Sequence, residues 1–267
     1  MLDKLPRRRR EDRQHRFRRG VFLLPSLFTV ANLFCGYACV VYSTRSDFDT
    51  AALFIGIAMI LDTLDGFFAR LTNSSSAFGV ELDSLADVVS FGLAPAILAF
   101  TWGLWPLQRL GWAAGFLFVA AAAMRLARFN VQSATTTAST DKRYFVGMPS
   151  PAAASVIAAT VFWYPYGLHQ RETALPALAM VLVPAFLMVS TIRFRSVKAI
   201  DVGWRRSYFV LFLACVGLAL IASHPRLALV VMSYAYVLAA MGAWVYSRVR
   251  RRPIAGSPEP GGDLGVL

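Results

Sequence analysis

The sequence contains few residues that carry charge or form covalent cross-links. Only 16% of its 267 residues are Asp, Glu, Lys or Arg, and it has three cysteines and three histidines. Soluble domains contain about 25% charged and about 45–50% apolar residues, whereas 57% of this sequence is hydrophobic. This shortage of charge argues against a water-soluble domain and indicates a chain that lies in a lipid bilayer.

The cysteines show no sign of a disulfide framework or a zinc site. Cys35, Cys39 and Cys215 each lie inside an apolar stretch and lack the spacing of zinc ligands. We therefore expect all three to be small buried apolar residues.

Hydrophobic residues are concentrated in eight stretches separated by short polar or basic segments. A transmembrane helix needs about 20 apolar residues, and all but the short seventh stretch reach or approach that length. The sequence thus predicts an all-α, polytopic transmembrane bundle, with spans at about 21–44, 51–70, 79–101, 111–129, 150–166, 174–192, 207–222 and 227–247.

Basic residues give the chain a net charge of +12 and lie mainly at the ends of the predicted spans. In a soluble protein this charge would suggest nucleic acid, but here it indicates anionic lipid, so no nucleic-acid partner is expected. With a cytoplasmic N-terminus, the outward loops hold four of the 27 Lys and Arg residues: Arg45, Arg109, Arg171 and Arg226. The positive-inside rule then predicts that both termini are cytoplasmic.

The ends of the chain differ from the membrane region in composition. Residues 1–20 are too basic for a signal peptide and are predicted to form a basic cytoplasmic tail. Residues 248–267 are rich in Pro and Gly and are predicted to be disordered. Residues 21–247 remain as one membrane domain.

Five of the 15 acidic residues lie where the second predicted span ends and the third begins: Asp62, Asp65, Glu81, Asp83 and Asp87. A charge at the bilayer centre costs about 2.5–3.5 kcal/mol on insertion scales. Asp62 and Asp65 share a face of one helix, and Asp83 and Asp87 share a face of the next. Because these spans are antiparallel and closely joined, the two pairs can converge. Such carboxylates repel one another unless cations neutralise them, and hard oxygen ligands suit Mg²⁺, Mn²⁺ or Ca²⁺.

Small and basic residues accompany the acids. Gly66 and Gly79 would let a ligand or a neighbouring helix approach the backbone closely. Arg70 lies one turn beyond Gly66, where an arginine beside a metal cluster is a natural partner for a phosphate.

These residues together form the pattern Asp62-x2-Asp65-Gly66-x2-Ala69-Arg70-x8-Gly79-x3-Asp83-x3-Asp87. The pattern resembles, without departure, the signature of the CDP-alcohol phosphotransferase family. The resemblance implies a six-helix catalytic core, followed here by about two further spans, and a two-metal site. There a CDP-linked lipid or alcohol binds and a second alcohol displaces CMP.

The flanking segments are similar to the branch of this family that transfers phosphatidyl groups from CDP-diacylglycerol to L-serine. The likeness runs from about residue 24 to 154, with Ser26 standing where the branch commonly has Asn. It implies that phosphatidylserine and CMP are made at the cytoplasmic face of a prokaryotic inner (plasma) membrane. It also implies a homodimer, since members of the family often form one. The segments that carry the likeness are 24–36, 78–87, 90–96, 125–130 and 145–152.

The resemblance also implies roles for the acids. Asp62, Asp65, Asp83 and Asp87 would hold two Mg²⁺ or Mn²⁺ ions. Asp87 would be the general base that takes the proton from the serine hydroxyl.

Further residues are candidates for binding the two substrates. Gly66, Arg70 and Ser76 are candidates for the CDP group, and Thr29 and Asn32 are weaker ones, since both could instead form interhelical hydrogen bonds. The serine carboxylate needs a cation, for which the candidates are Arg125, Arg128 and Lys142. Positive-inside topology explains each of these three equally well.

Two alternatives remain open from the sequence. A sister enzyme of the same family could use glycerol 3-phosphate or inositol phosphate as the acceptor. An ion-coupled transporter could use the same intramembrane acids as a relay.

Overall fold

The computed structural model describes most of the membrane region and leaves both ends of the chain undescribed. The described residues are 27–72, 77–135, 144–190, 193–195, 215 and 223–250. The predicted N-terminal tail lies outside them, as does the predicted span at 207–222 apart from Cys215. The predicted C-terminal tail also lies outside them except for residues 248–250, which are helical, so the prediction of disorder is wrong for those three residues.

Seven helices make up nearly all of the described structure, which confirms the predicted all-α class. Their order is α1 (Leu27–Thr44), α2 (Phe48–Thr72), α3 (Ala77–Asp87 and its continuation to Leu107), α4 (Arg109–Thr135), α5 (Ser150–Trp163), α6 (Arg171–Val189) and α7 (Pro225–Arg250). Among the described residues, α1, α2, α3, α4 and α6 are long and apolar enough to cross a membrane, while α5 and the apolar part of α7 are shorter.

One small element was not predicted. Residues Tyr144–Val146 form β1 and residues Arg193–Arg195 form β2, and the two strands pair antiparallel with Phe145 opposite Phe194. The pairing joins the segment before α5 to the segment after α6. Three-residue strands between helices leave no periodic signal long enough to read from a sequence.

Helix α3 changes its winding twice along its length. The α-helical segment Ala77–Asp87 passes into a π-helical segment at Val88–Leu93, and a second π-helical segment follows at Phe100–Leu104. Pro95 lies two residues after the first widened segment and has no N–H to donate to the preceding turn, which favours a local change of winding. The widening begins immediately after Asp87.

The bundle core is built largely from small residues and a few large side chains. The fully buried large residues include Ile55, Phe91, Leu98, Phe118 and Ile157. In lipid there is no hydrophobic driving force for helix association, so membrane helices depend on close van der Waals packing. Small side chains allow that close packing. Cys35 and Cys39 are buried as predicted, whereas Cys215 is exposed, so that prediction is wrong for Cys215.

Helix α7 is attached to the bundle by polar contacts. At its start, Arg226 Nη2 lies 3.0 Å from Asp49 Oδ2 of α2, and its guanidinium lies 4.9 Å from the ring centre of Phe162 on α5. Further along, the Tyr234 hydroxyl and Thr160 Oγ1 are 3.0 Å apart. These contacts hold α7 antiparallel to α5.

Helix α1 packs closely against α3 at Gly36. A Cβ at this position would lie 2.6 Å from Ser90 Oγ and 2.9 Å from Ser90 Cα. We expect Gly36→Ala to destabilise the protein by about 1–3 kcal/mol, because the added methyl overpacks a tight interface. Thermal unfolding in detergent measures the loss.

Gly56→Ala is the matched control for this prediction. Gly56 also lies in a membrane helix, but a Cβ there meets no atom within 4 Å. Its stability should stay the same or rise slightly, since Ala favours a helix over Gly. Equal unfolding temperatures for the two variants would contradict the close packing of α1 on Ser90.

Candidate active site

Three carboxylates from two antiparallel helices meet in one place. Asp62 of α2 and Asp83 and Asp87 of α3 each offer an oxygen, and these oxygens all lie within 4.8 Å of one another. All three side chains are partly buried. The spacing of three on α2 and four on α3 places the acids on the facing sides of the two helices.

Asp65 lies beside this trio and faces α1. Its side chain is only 5% exposed, and its Oδ2 accepts a hydrogen bond of 3.2 Å from Thr29 Oγ1. Its carboxyl group is also in hydrogen-bonding contact with that of Asp83. All four predicted acids are therefore neighbours, with Asp65 oriented by α1.

Helix α1 supplies a second contact to the cluster through Asn32. This residue is fully buried, and its Nδ2 lies 3.5 Å from Asp87 Oδ1, to which it donates. Ser90 Oγ donates to the backbone oxygen of Asn32 at 2.9 Å, which fixes this part of α1 against α3. Thr29 and Asn32, predicted as weaker substrate candidates, both contact carboxylates here.

The donor set fits a hard divalent cation. Asp83 Oδ1 and Asn32 Oδ1 are buried, and neither has a hydrogen-bond partner within the described part of the chain. Buried oxygens without partners are costly, and a cation would satisfy them. Carboxylate and amide oxygens are ligands that Mg²⁺, Mn²⁺ and Ca²⁺ accept. The cluster can therefore bind a metal ion.

The predicted CDP-binding residues are described only in part. A Cβ at Gly66 would meet no atom of the described residues within 4 Å, so that part of the structure leaves the backbone there open to a ligand. Arg70 belongs to α2, but its side chain lies outside the described residues, as do the whole of Ser76 and Lys142. Glu81 is exposed.

Arg125 of α4 provides positive charge next to the acids. It interacts electrostatically with Asp87 and with Asp62. Its Nη1 donates a hydrogen bond of 2.8 Å to Ser150 Oγ. Arg128 lies one turn further along α4 and is partly buried. Of the predicted serine-binding residues whose side chains are described, Arg125 is thus the one that interacts electrostatically with the acids.

Ser150 is held by a tight turn before α5. Gly147 has a φ of 85°, and a Cβ there would lie 2.5 Å from the backbone oxygen of Met188. The Met148 N–H donates to the Leu187 oxygen at 3.0 Å, which ties the turn to the end of α6. Only glycine adopts such a backbone at so close an approach without strain.

The sequence matches the family described as CDP-alcohol phosphatidyltransferase over residues 22–192. The chain belongs to this family. It is therefore an enzyme of the phosphatidyltransferase class, and its apolar helices embed it in a membrane. The family region contains α1 to α6 and every predicted site residue, whereas α7 lies beyond it.

Relatives in bacteria and archaea resemble the chain over most of its length. A Helicobacter pylori protein named CDP-diacylglycerol–serine O-phosphatidyltransferase is 36% identical over 86% of this chain and 94% of its own length. A Mycobacterium tuberculosis protein of the same name is 31% identical over 82% of this chain and 78% of its own. A Methanothermobacter thermautotrophicus protein named archaetidylserine synthase is 33% identical over 64% and 69%.

Sequence reasoning missed several polar residues near the family's acidic cluster. Ser90 fixes α1, Ser150 contacts Arg125, and Asn130 Nδ2 donates to Ser84 Oγ at 2.8 Å, which links α4 to α3 next to Asp83. These residues lie in or near segments that carry the family likeness. The local sequence around a Ser or Asn in an apolar helix does not, however, indicate which residue its side chain will contact.

Proposed function

We propose that the protein is a CDP-diacylglycerol–serine O-phosphatidyltransferase, which makes phosphatidylserine and CMP from CDP-diacylglycerol and L-serine. The relatives' shared name supports this reaction, and the Helicobacter pylori relative is similar over 94% of its own length. The observation that carries the proposal is the convergence of Asp62, Asp83 and Asp87 beside Arg125. This arrangement offers ligands for metal, a base and a cation for the acceptor.

The acids have two tasks in the proposed mechanism. Two divalent ions, Mg²⁺ or Mn²⁺, held by Asp62, Asp65, Asp83 and Asp87, would supply positive charge that offsets the charge of the pyrophosphate. Asp87 accepts the proton of the serine hydroxyl as the serine oxygen attacks the β-phosphorus. A serine O–P bond forms, the P–O bond to CMP breaks, and CMP leaves with the electron pair.

Contacts from α1 support the choice of Asp87 as the base. The hydrogen bond from Asn32 Nδ2 to Oδ1 fixes the orientation of the Asp87 carboxylate within the cluster. A general base must lie within hydrogen-bond reach of its proton, so a fixed orientation favours catalysis. Thr29 orients Asp65 in the same way.

The alternatives have less support. The relatives' names favour serine over glycerol 3-phosphate or inositol phosphate as the acceptor, and the family match favours an enzyme over an ion-coupled transporter.

The proposal also covers the location and assembly of the enzyme. The enzyme works in a prokaryotic plasma membrane as a homodimer, with both termini and the active site cytoplasmic. Its membrane domain spans 21–247, flanked by the tails 1–20 and 248–267.

An acceptor panel tests the proposed function. Purified protein in detergent is given radiolabelled CDP-diacylglycerol, Mg²⁺ or Mn²⁺, and one acceptor at a time: L-serine, glycerol 3-phosphate or inositol phosphate. We expect CMP release and phosphatidylserine with L-serine alone. Lipid product with another acceptor and none with serine would replace the proposed substrate, and ion flux in proteoliposomes without CMP release would replace the enzyme.

A further inference from the structure

The acceptor in the proposed reaction carries a group that the acidic cluster repels. L-Serine presents its hydroxyl to Asp87, and its ammonium group is attracted by the acids. Its carboxylate needs a cation within a few ångströms. Arg125 interacts electrostatically with both Asp87 and Asp62, and α4 is bonded to α3 beside the cluster through Asn130 and Ser84, so its positive charge lies near the acids.

Ser150 controls how Arg125 can point. The serine side chain is fully buried, and its Oγ accepts the bond from Arg125 Nη1 at 2.8 Å. Within the described residues, this hydroxyl donates no hydrogen bond of its own. A guanidinium is a planar fork of donors, so fixing one amino group fixes the direction of the other. The edge for which no hydrogen bond is seen within the described part of the chain can then receive a carboxylate with two parallel bonds.

The backbone around Ser150 is rigid. Pro149 and Pro151 flank it, Gly147 makes the tight turn before it, and Met148 is bonded to the end of α6. Tyr236 of α7 lines the same cavity as Pro149 and Pro151, so α7 borders this region from outside the family domain.

We propose that Arg125 is the carboxylate-binding residue for the acceptor and that Ser150 is the positioning residue that aims its guanidinium at the cluster. This inference rests on the proposed function. It separates Arg125 from the other basic candidates, and it gives a role to the turn at 147–150. The subsite would select amino alcohols that carry a carboxylate over those that lack one.

The test compares Ser150→Ala with Ser155→Ala. Ser155 lies on the same helix and its Oγ donates to the Ala152 oxygen, away from Arg125. We expect Ser150→Ala to raise the KM for L-serine roughly 10-fold, as befits a loosened charge-assisted contact, with the KM for CDP-diacylglycerol unchanged. Ser155→Ala should leave both values unchanged, and Ser150→Thr, which keeps the hydroxyl, should restore the KM for serine.

A second measurement does not depend on how much of the variant is folded. The ratio of kcat/KM for L-serine to that for serinol, which has the amino and hydroxyl groups but no carboxylate, is taken within one preparation. This ratio should fall about 10-fold in Ser150→Ala and further in Arg125→Ala, because only serine loses a partner.

The outcomes separate the two proposals. If the wild type releases no CMP with serine, the proposed function fails. If the wild type uses serine and Ser150→Ala changes neither the KM for serine nor the ratio, the subsite alone fails. A rise in the KM for CDP-diacylglycerol instead would assign Arg125 to the pyrophosphate and overturn the inference.

Discussion

Asp87→Asn is expected to lower turnover by about 10²–10⁴-fold, the usual contribution of a positioned general base. The amide has nearly the same shape as the carboxylate but cannot accept the proton of the serine hydroxyl. Binding of CDP-diacylglycerol should weaken only modestly, since Asp62, Asp65 and Asp83 remain. Single-turnover CMP release and equilibrium binding of CDP-diacylglycerol, measured side by side, separate the two effects.

Glu81→Gln is the matched control for Asp87→Asn. Glu81 lies on the same helix, six residues away, but its side chain is exposed and lies outside the trio. This variant should keep wild-type turnover. If Asp87→Asn retained substantial turnover at saturating serine, Asp87 would not be the base, and a large loss in Glu81→Gln would move that role to Glu81.

The acidic cluster was predictable because charge in a membrane span is costly and helical spacing is regular. Asp62 and Asp65 at one helix end and Asp83 and Asp87 at the next can meet only if the two helices are antiparallel neighbours. The structure places their side chains together. No long-range information was needed, since a short loop joins the two helices.

The contacts around the cluster were less predictable because they depend on tertiary structure. Thr29 and Asn32 were candidates for substrate binding or interhelical hydrogen bonds, but the sequence did not indicate which carboxylate each would reach. The bond between Arg125 and Ser150 joins two helices that are far apart in the sequence, and the change of winding in α3 begins directly after Asp87 with no breaker residue at that point. Hydropathy carries none of this, because small polar residues in apolar helices change it little.

Metal dependence distinguishes a working site from a cluster of acids that merely lie close together. EDTA should abolish turnover in the wild type, and Mg²⁺ or Mn²⁺ should restore it. A bound ion also stabilises the folded state, by about 2.7 kcal/mol at a metal concentration 100 times its Kd. Thermal unfolding therefore reports binding without any substrate. Full turnover in metal-free buffer, or an unfolding temperature that neither Mg²⁺ nor Mn²⁺ changes, would rule out the metal site.

Asp62→Asn should be at least as stable as the wild type without metal and less stable than the wild type with Mg²⁺. Without metal, the amide removes one of three crowded negative charges, so the variant should unfold at the same temperature as the wild type or higher. With Mg²⁺ the wild type gains stability and the variant, lacking a ligand, gains much less, so the order reverses. Asp49→Asn serves as the control on the same helix, since Asp49 pairs with Arg226 about 20 Å along the helix from Asp62. Its response to metal should match that of the wild type, because a side chain at the far end of α2 adds nothing to the cluster.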